Sequence, residues 1–209
     1  NSRISLSNND NGAGNTIFGY LAGAAIAGGG NSNLLIGYEA GNDLTTADGN
    51  VVLGYQAFNR ATDDCDQNVV VGNYSMGGNI TSNDVSDCVA LGYNVMSGVL
   101  TSDASGTVGV GSGALAALTS GERNIAIGYQ ALDACTTGAE NTAIGTDALG
   151  SLTVAHRNTA IGRQAGYTMT TGEMNTFLGF EAGEALTTGD TNTIGGYRAG
   201  LRVTTGDTN

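Results

Sequence analysis

The side chains that could do chemistry in this sequence are few: one histidine, three cysteines and a short run of aspartates. His156 could serve as a general base or a metal ligand. No serine, cysteine or carboxylate stands at a defined spacing that would complete a catalytic set with it. It lies in Val154-Ala155-His156-Arg157, a segment that the repeat described below places in a solvent-exposed turn. The sequence therefore predicts that this protein is not an enzyme.

The cysteines, at positions 65, 88 and 135, have neither the spacing of a zinc motif nor an even number for a disulfide framework. Cys135 occupies a repeat position that later coils fill with Leu, Met or Val, so we predict a buried apolar residue there. Cys65 and Cys88 fall in successive coils but at different positions of the repeat. A disulfide between them is an open alternative.

Two other motifs suggest ligands only weakly. Asp63, Asp64 and Asp66 could hold Ca²⁺ together with backbone carbonyls, but they lack the spacing of a known calcium loop. The glycine-rich run over residues 109–113 lacks the lysine and the following helix of a phosphate-binding loop. We therefore expect no metal site and no cofactor.

The composition excludes several classes of partner and of fold. The net charge is −12, with seven arginines and no lysine, and such an acidic surface repels nucleic acid. No apolar run approaches the ~20 residues that cross a bilayer, so we expect no membrane insertion. The 35 glycines occur without any proline, which excludes collagen. The hydrophobic fraction of 40% is too high, and too regularly placed, for a disordered linker.

A five-residue motif, Asn-x-x-(Ile/Leu/Val)-Gly, dominates the sequence and recurs about every 17 residues. From Gly111 onward the motif glycines are spaced by 17 residues, and before it by 17 to 20. A fixed short period is typical of a solenoid, in which each repeat forms one coil stacked on the last. We predict an all-β fold, a parallel β-solenoid (β-roll) of about eleven coils over residues 15–209. Residues 1–14 form a lead-in segment, the longer coils span 55–111, and the regular coils span 111–209.

The motif asparagine is present in nine coils. Adjacent coils stack roughly 4.8 Å apart, so the side-chain amides can donate and accept hydrogen bonds along the rod. We predict a structural ladder, rather than a ligand site, formed by Asn15, Asn33, Asn50, Asn68, Asn124, Asn141, Asn158, Asn175 and Asn192.

The three residues before the motif glycine are predicted to form a strand. The first and third of them share one face, which we expect to line the interior of the coil. The middle residue should then point outward, yet it is never polar. A single coil cannot cover a strand that is apolar on both faces, so we predict that identical chains bury this stripe side by side as a homotrimer. The predicted interchain stripe comprises Ile17, Leu35, Val52, Val70, Ala90, Ala126, Ala143, Ala160, Phe177 and Ile194.

A tyrosine often follows the motif glycine directly, and it is the one candidate for surface ligand contacts. An aromatic file along a rod could stack on the sugars of a host glycan, or it could pack between chains. Paired threonines such as Thr187-Thr188 suggest an ice-binding array as a weaker alternative, because adjacent residues point to opposite sides and leave only one rank outward. The candidate contacts are Tyr20, Tyr38, Tyr55, Tyr93 and Tyr129.

The pattern Asn-Thr-Ala-Ile-Gly-Tyr-Gln-Ala-Gly-x-x-Leu-Thr-Thr-Gly resembles the repeats of phage and virus tail-fibre proteins. It is also similar to the head repeats of trimeric autotransporter adhesins, whose shorter repeat carries a similar Asn-x-x-Ala-Ile-Gly core. The opening segment, residues 2–9, resembles the lead-in to such repeats in tail fibres of the marine phage type. In both families three chains assemble side by side, each coiling as a parallel β-roll.

The resemblance implies a structural shaft of a trimeric tail fibre on the virion. Such a shaft would support attachment to a host receptor or glycan through a tip outside this chain. A bacterial cell-surface trimeric adhesin or extracellular filament is the alternative, and a monomeric ice- or glycan-binding solenoid is a third hypothesis. Asn209 falls where the next motif asparagine would stand, so we expect a longer natural chain.

Overall fold

The computed structural model describes residues 3–5, 12–26, 29–61, 64–80 and 84–207. Eleven parallel strands stack in chain order into one sheet, which forms a β-solenoid of about ten turns with a spacing of about 17 residues. The predicted all-β solenoid is therefore confirmed. The strands are β1 (Arg3–Ser5), β2 (Thr16–Gly19), β3 (Leu34–Ile36), β4 (Val51–Leu53), β5 (Val69–Val71), β6 (Val89–Leu91), β7 (Val108–Val110), β8 (Ile125–Ile127), β9 (Thr142–Ile144), β10 (Thr159–Ile161), β11 (Thr176–Leu178) and β12 (Thr193–Gly195).

The motif glycine ends each strand for two physical reasons. Gly145 has a φ of +136°, a backbone conformation that side chains disfavour. A Cβ atom at Gly145 would also lie 2.5 Å from the carbonyl oxygen of Gly162 on the next rung. The same close approach recurs along the rod, so glycine is the residue that lets successive corners stack at strand spacing.

The first strand differs from the rest. β1 pairs antiparallel with β2, with Arg3 opposite Gly19 and Ser5 opposite Ile17, whereas all other pairs are parallel. This strand falls within the predicted lead-in segment, of which residues 1–2 and 6–11 lie outside the described residues. β1 covers the backbone edge that β2 would otherwise present to solvent.

The predicted inside and outside of the strands are wrong: the two faces are exchanged. The middle strand residue points into the chain's own core, and its neighbours on either side are half-buried or exposed. Val52 and Ala143 are 0% exposed, whereas Leu178 is 55% exposed. The predicted interchain stripe is therefore an intrachain core rank, made of Ile17, Leu35, Val52, Val70, Ala90, Ala126, Ala143, Ala160, Phe177 and Ile194.

The core is filled by matching large with small residues, either inside one coil or between adjacent coils. The middle strand residue faces the residue six positions later: small Ala143 is matched by buried Leu149, whereas large Phe177 is matched by Gly183. A Cβ atom at Gly166, one rung earlier, would lie 2.7 Å from the Phe177 ring. The ring therefore occupies the space above both glycines, and the cross-section stays constant along the rod.

Replacing Phe177 with alanine is expected to lower the free energy of unfolding by about 3–5 kcal/mol, because it leaves a cavity above two glycines. Adding Gly183→Leu should recover much of that loss, since it recreates the pairing of Ala143 with Leu149. The backbone permits the change: Leu149 has a φ of 51° and Gly183 a φ of 62°. Urea unfolding of both variants measures the effect, and a double variant less stable than Phe177→Ala would contradict the matching.

Candidate functional site

The nine motif asparagines form a buried ladder along the axis. Asn158 shows the arrangement: Oδ1 of Asn141 accepts its backbone N–H at 2.9 Å and its Nδ2 at 3.2 Å. Nδ2 also donates to the carbonyl oxygen of Gly172 at 2.8 Å, and Oδ1 of Asn158 accepts the backbone N–H of Asn175 at 2.9 Å. Donors and acceptors are thus used within the ladder, so its chemistry is structural. Its members are Asn15, Asn33, Asn50, Asn68, Asn124, Asn141, Asn158, Asn175 and Asn192.

Cys88 and Thr107 interrupt the ladder. Asn68 Oδ1 still accepts the backbone N–H of Cys88 at 2.9 Å, and Thr107 Oγ1 accepts that of Asn124 at 3.4 Å. Cys88 is a free, buried thiol 3.5 Å from the carbonyl oxygen of Ala104, so the alternative of a disulfide to Cys65 is not realised. Cys135 is fully buried in the core, as its repeat position predicts.

Stability is expected to fall as the pH rises from about 9 to about 11. Burial raises the pKa of the Cys88 and Cys135 thiols from 9.0 to about 11. The pKa of Tyr38 is raised chiefly by its hydrogen bond with Glu39, and that of Tyr74 chiefly by desolvation. A raised pKa means that the folded state holds its proton more tightly than the unfolded state. The stabilisation is therefore fully present below the pKa that the group has in the unfolded state. It is lost as the pH rises through the pKa that the group has in the folded state.

Across this pH range, the contribution of each thiol to the free energy of unfolding is expected to fall by about 2–3 kcal/mol. Urea unfolding at pH 8, 10 and 11 measures the decline. A Cys135→Val variant, which keeps an apolar residue, should show a smaller decline than the parent chain. Equal stability at pH 8 and pH 11 would contradict the assignment.

A second ladder, which the sequence analysis missed, is formed by threonine hydroxyls at the repeat position that Thr187 holds in Leu186-Thr187-Thr188. Thr119 Oγ1 donates to the carbonyl oxygen of Thr136 at 2.8 Å, and the same bond joins Thr136 to Thr153 at 3.2 Å. These hydroxyls already donate hydrogen bonds to carbonyl oxygens on the next rung, which argues against their use as an ice-binding array. The donors are Thr101, Thr119, Thr136, Thr153, Thr170 and Thr187.

His156 and two of the three candidate calcium ligands belong to hydrogen bonds between rungs. His156 is half-buried, rather than solvent-exposed as predicted, and its Nδ1 accepts the backbone N–H of Ala139 at 3.0 Å. Asp66 Oδ1 accepts the backbone N–H of Asp48 at 2.7 Å, and Asp64 accepts the Thr46 hydroxyl at 3.2 Å. Asp63 lies outside the described residues. Within the described ranges no three His, Cys, Asp or Glu residues are grouped to hold a metal.

The outer face of the sheet is apolar and carries no charge. It consists of the first and third residue of each of the strands β2 to β12, and Phe18, Ile127 and Leu178 on it are 47%, 39% and 55% exposed. In each of the strands β9 to β12 the first residue is threonine. The third residue of the strand remains apolar up to Leu178 in β11. Between β3 and β8 all twelve positions are apolar: Leu34, Ile36, Val51, Leu53, Val69, Val71, Val89, Leu91, Val108, Val110, Ile125 and Ile127.

The predicted tyrosine contacts form a ridge beside the outer face. Rings of Tyr20 and Tyr38 stack with centroids 5.2 Å apart, and those of Tyr38 and Tyr55 with centroids 5.0 Å apart. Tyr74, which the sequence analysis missed because it stands one position later, continues the file by edge contacts to Tyr55 and Tyr93. Stacked rings cover each other's faces, so Tyr20, Tyr38 and Tyr55 offer mainly ring edges and hydroxyls to a ligand.

Charged residues join adjacent rungs at the corners. Arg157 Nε donates to Glu140 at 2.9 Å, and this bond lowers the pKa of the Glu140 carboxyl. Glu181 is buried between Arg163, at 3.3 Å, and Arg198, at 2.6 Å. The Arg163 guanidinium also lies 5.3 Å from the centre of the Phe180 ring. Because the arginines are exposed, these pairs contribute little stability individually.

Searches of protein-family models, curated proteins and solved structures found no match to this chain. None of the helical segments in the described residues has the length and apolar character needed to span a membrane. The described part of the chain also contains no enclosed pocket. The apolar outer face and the tyrosine ridge are the candidate surfaces for function.

Proposed function

We propose that this chain is a shaft segment of a homotrimeric fibre, of the kind found in phage tail fibres, which supports attachment to a host. The observation that carries the proposal is the uncharged apolar outer face. Both of its ranks are apolar from β3 to β8 and one rank remains apolar as far as β11, although the chain's own core is already complete without it.

The size of that face supports a partner along its length. From β3 to β8, where both ranks are apolar, five rung spacings give a length of roughly 25 Å and two side-chain ranks give a width of roughly 10 Å, or about 250 Å². A continuous apolar patch of a few hundred Å² on a protein surface is often an interaction site. A second and a third copy, lying side by side, would bring the same face to a common axis and exclude water from it.

A rod of stacked coils is suited to a mechanical role. Its hydrogen-bonded ladders fix the spacing of the rungs, so the number of coils sets the reach of the fibre. Three chains would present three copies of any weak receptor contact, and binding would gain from avidity. The same argument supports a bacterial cell-surface trimeric adhesin, which a leader and a membrane anchor in the full-length sequence would distinguish from a phage fibre.

Sedimentation equilibrium tests the assembly. We expect a mass about three times that of the 20.9 kDa chain, and a 20.9 kDa species in native buffer would overturn the proposal. Leu91→Glu, on the outer face, should reduce the mass to that of one chain while the β-sheet circular dichroism persists. Val154→Glu is the matched control: Val154 is 45% exposed but lies in a turn, so this variant should retain the parent mass.

A further inference from the structure

The tyrosine ridge contains a notch one rung wide. On the coil that begins at Gly111, the position after the motif glycine is Ser112, followed by Gly113. The rung before it carries Tyr93 and the rung after it carries Tyr129. These rings are 57% and 54% exposed, against 40–44% for the stacked Tyr20, Tyr38 and Tyr55. Tyr93 meets Tyr74 by an edge contact, and the rungs on both sides of Tyr129 have no aromatic residue at this position.

The width of the notch fits one six-membered ring. Stacked tyrosines on adjacent rungs have centroids 5.0 to 5.2 Å apart, so rings two rungs apart are separated by about 10 Å. A flat ring inserted midway would lie about 5 Å from each tyrosine, which is the range of aromatic stacking. The notch therefore has about the width that one ring would fill at the spacing of the stacked tyrosines.

The surroundings of the notch are polar and uncharged. Its floor is Ser112 and Gly113, and the Gln130 side chain lies beside it, with Cγ 3.3 Å from the position of a Cβ at Gly113. A hydroxyl and an amide can bond to hydroxyl groups at the edge of a ligand, while the tyrosine faces favour its C–H surfaces. A neutral pyranose has both hydroxyl groups at its edge and an apolar C–H surface, whereas an apolar aromatic ring has no hydroxyl groups.

We propose that a neutral pyranose unit of a glycan binds between Tyr93 and Tyr129, above Ser112. The site extends beyond the shaft role and does not depend on it, because all its residues come from one chain. The gap at Thr146 is less suitable, since its far wall is Arg163, whose guanidinium already lies over Phe180. A repeating polysaccharide would meet one such notch on every chain of a fibre, so weak single contacts would add through avidity.

Saturation-transfer NMR with the intact chain and methyl glucoside, galactoside and mannoside tests the site. We expect at least one of these pyranosides to bind, and Ser112→Tyr to weaken that binding at least tenfold by completing the ladder. Ser112→Tyr should remain folded, because tyrosine occupies this position in other coils. Tyr129→Ala should weaken binding similarly, whereas Tyr20→Ala, away from the notch, should leave it unchanged.

Three outcomes would overturn the proposal: no pyranoside binds, binding survives Ser112→Tyr, or Tyr20→Ala abolishes it as well. Sedimentation of the same samples separates this result from the assembly. A trimer that binds no pyranoside would contradict the pyranose site and leave the shaft proposal standing. A monomer that binds a pyranoside would contradict the trimeric shaft and leave the pyranose site standing.

Discussion

Ala143→Glu is expected to unfold the coils around β9. Ala143 is fully buried, with Ala126 and Ala160 beside it on the adjacent rungs and Leu149 filling the same coil. A carboxylate there has no partner, and the longer side chain has no space. The expected loss is at least about 4 kcal/mol of unfolding free energy, which is a large part of the stability of most domains.

The neighbouring residue supplies the control. Ile144 is on the outer face, so Ile144→Glu should leave the chain folded and disturb only its association with other copies. Circular dichroism and urea unfolding report the fold, and sedimentation reports the association. Equal loss of β-structure in the two variants would contradict the assignment of the strand faces.

Asn158→Asp is expected to cost about 3–5 kcal/mol, although it replaces one atom. The amide nitrogen that donates to Asn141 Oδ1 and to the carbonyl oxygens of His156 and Gly172 becomes an oxygen. An ionised carboxylate would then face three acceptors in a buried position and could donate a hydrogen bond to none of them. A protonated carboxyl could restore one of these bonds, so the loss should be smaller at pH 4 than at pH 7.

Asn73→Asp is the matched control for this change. Asn73 is exposed, and its Oδ1 accepts the backbone N–H of Tyr55 at 3.1 Å, a role that aspartate preserves. Thermal unfolding at pH 7 should therefore differ little between Asn73→Asp and the parent. If Asn158→Asp unfolds at the same temperature as Asn73→Asp, the ladder does not contribute as proposed.

The repeat could be predicted from sequence because its cause is local. The motif glycine is required by backbone contact between rungs, and the asparagine by hydrogen bonds at rung spacing, so both recur at fixed intervals. The orientation of the strands could not be predicted in this way. In Val51-Val52-Leu53 all three residues are apolar, and alternation then carries no information about which face is buried.

A signal for the orientation was nevertheless present in the sequence. In several coils the middle strand residue and the residue six positions later vary inversely in size, as in Ala143 with Leu149 and Phe177 with Gly183. Inverse variation of this kind indicates two side chains that share one space. The roles of His156 and Tyr74 had no such signal, because each depends on the turn geometry of its own coil.

The interruption of the asparagine ladder has a mechanical consequence. Tension along the rod is shared by every column of hydrogen bonds in a cross-section, and most cross-sections include the asparagine column. Between Asn68 and Asn124 the asparagine column has no amide-to-amide hydrogen bonds, because Cys88 and Thr107 stand at the asparagine position of the two coils between them. A single rod stretched from its ends should therefore yield first in this segment, and a force–extension trace should place its earliest rupture there.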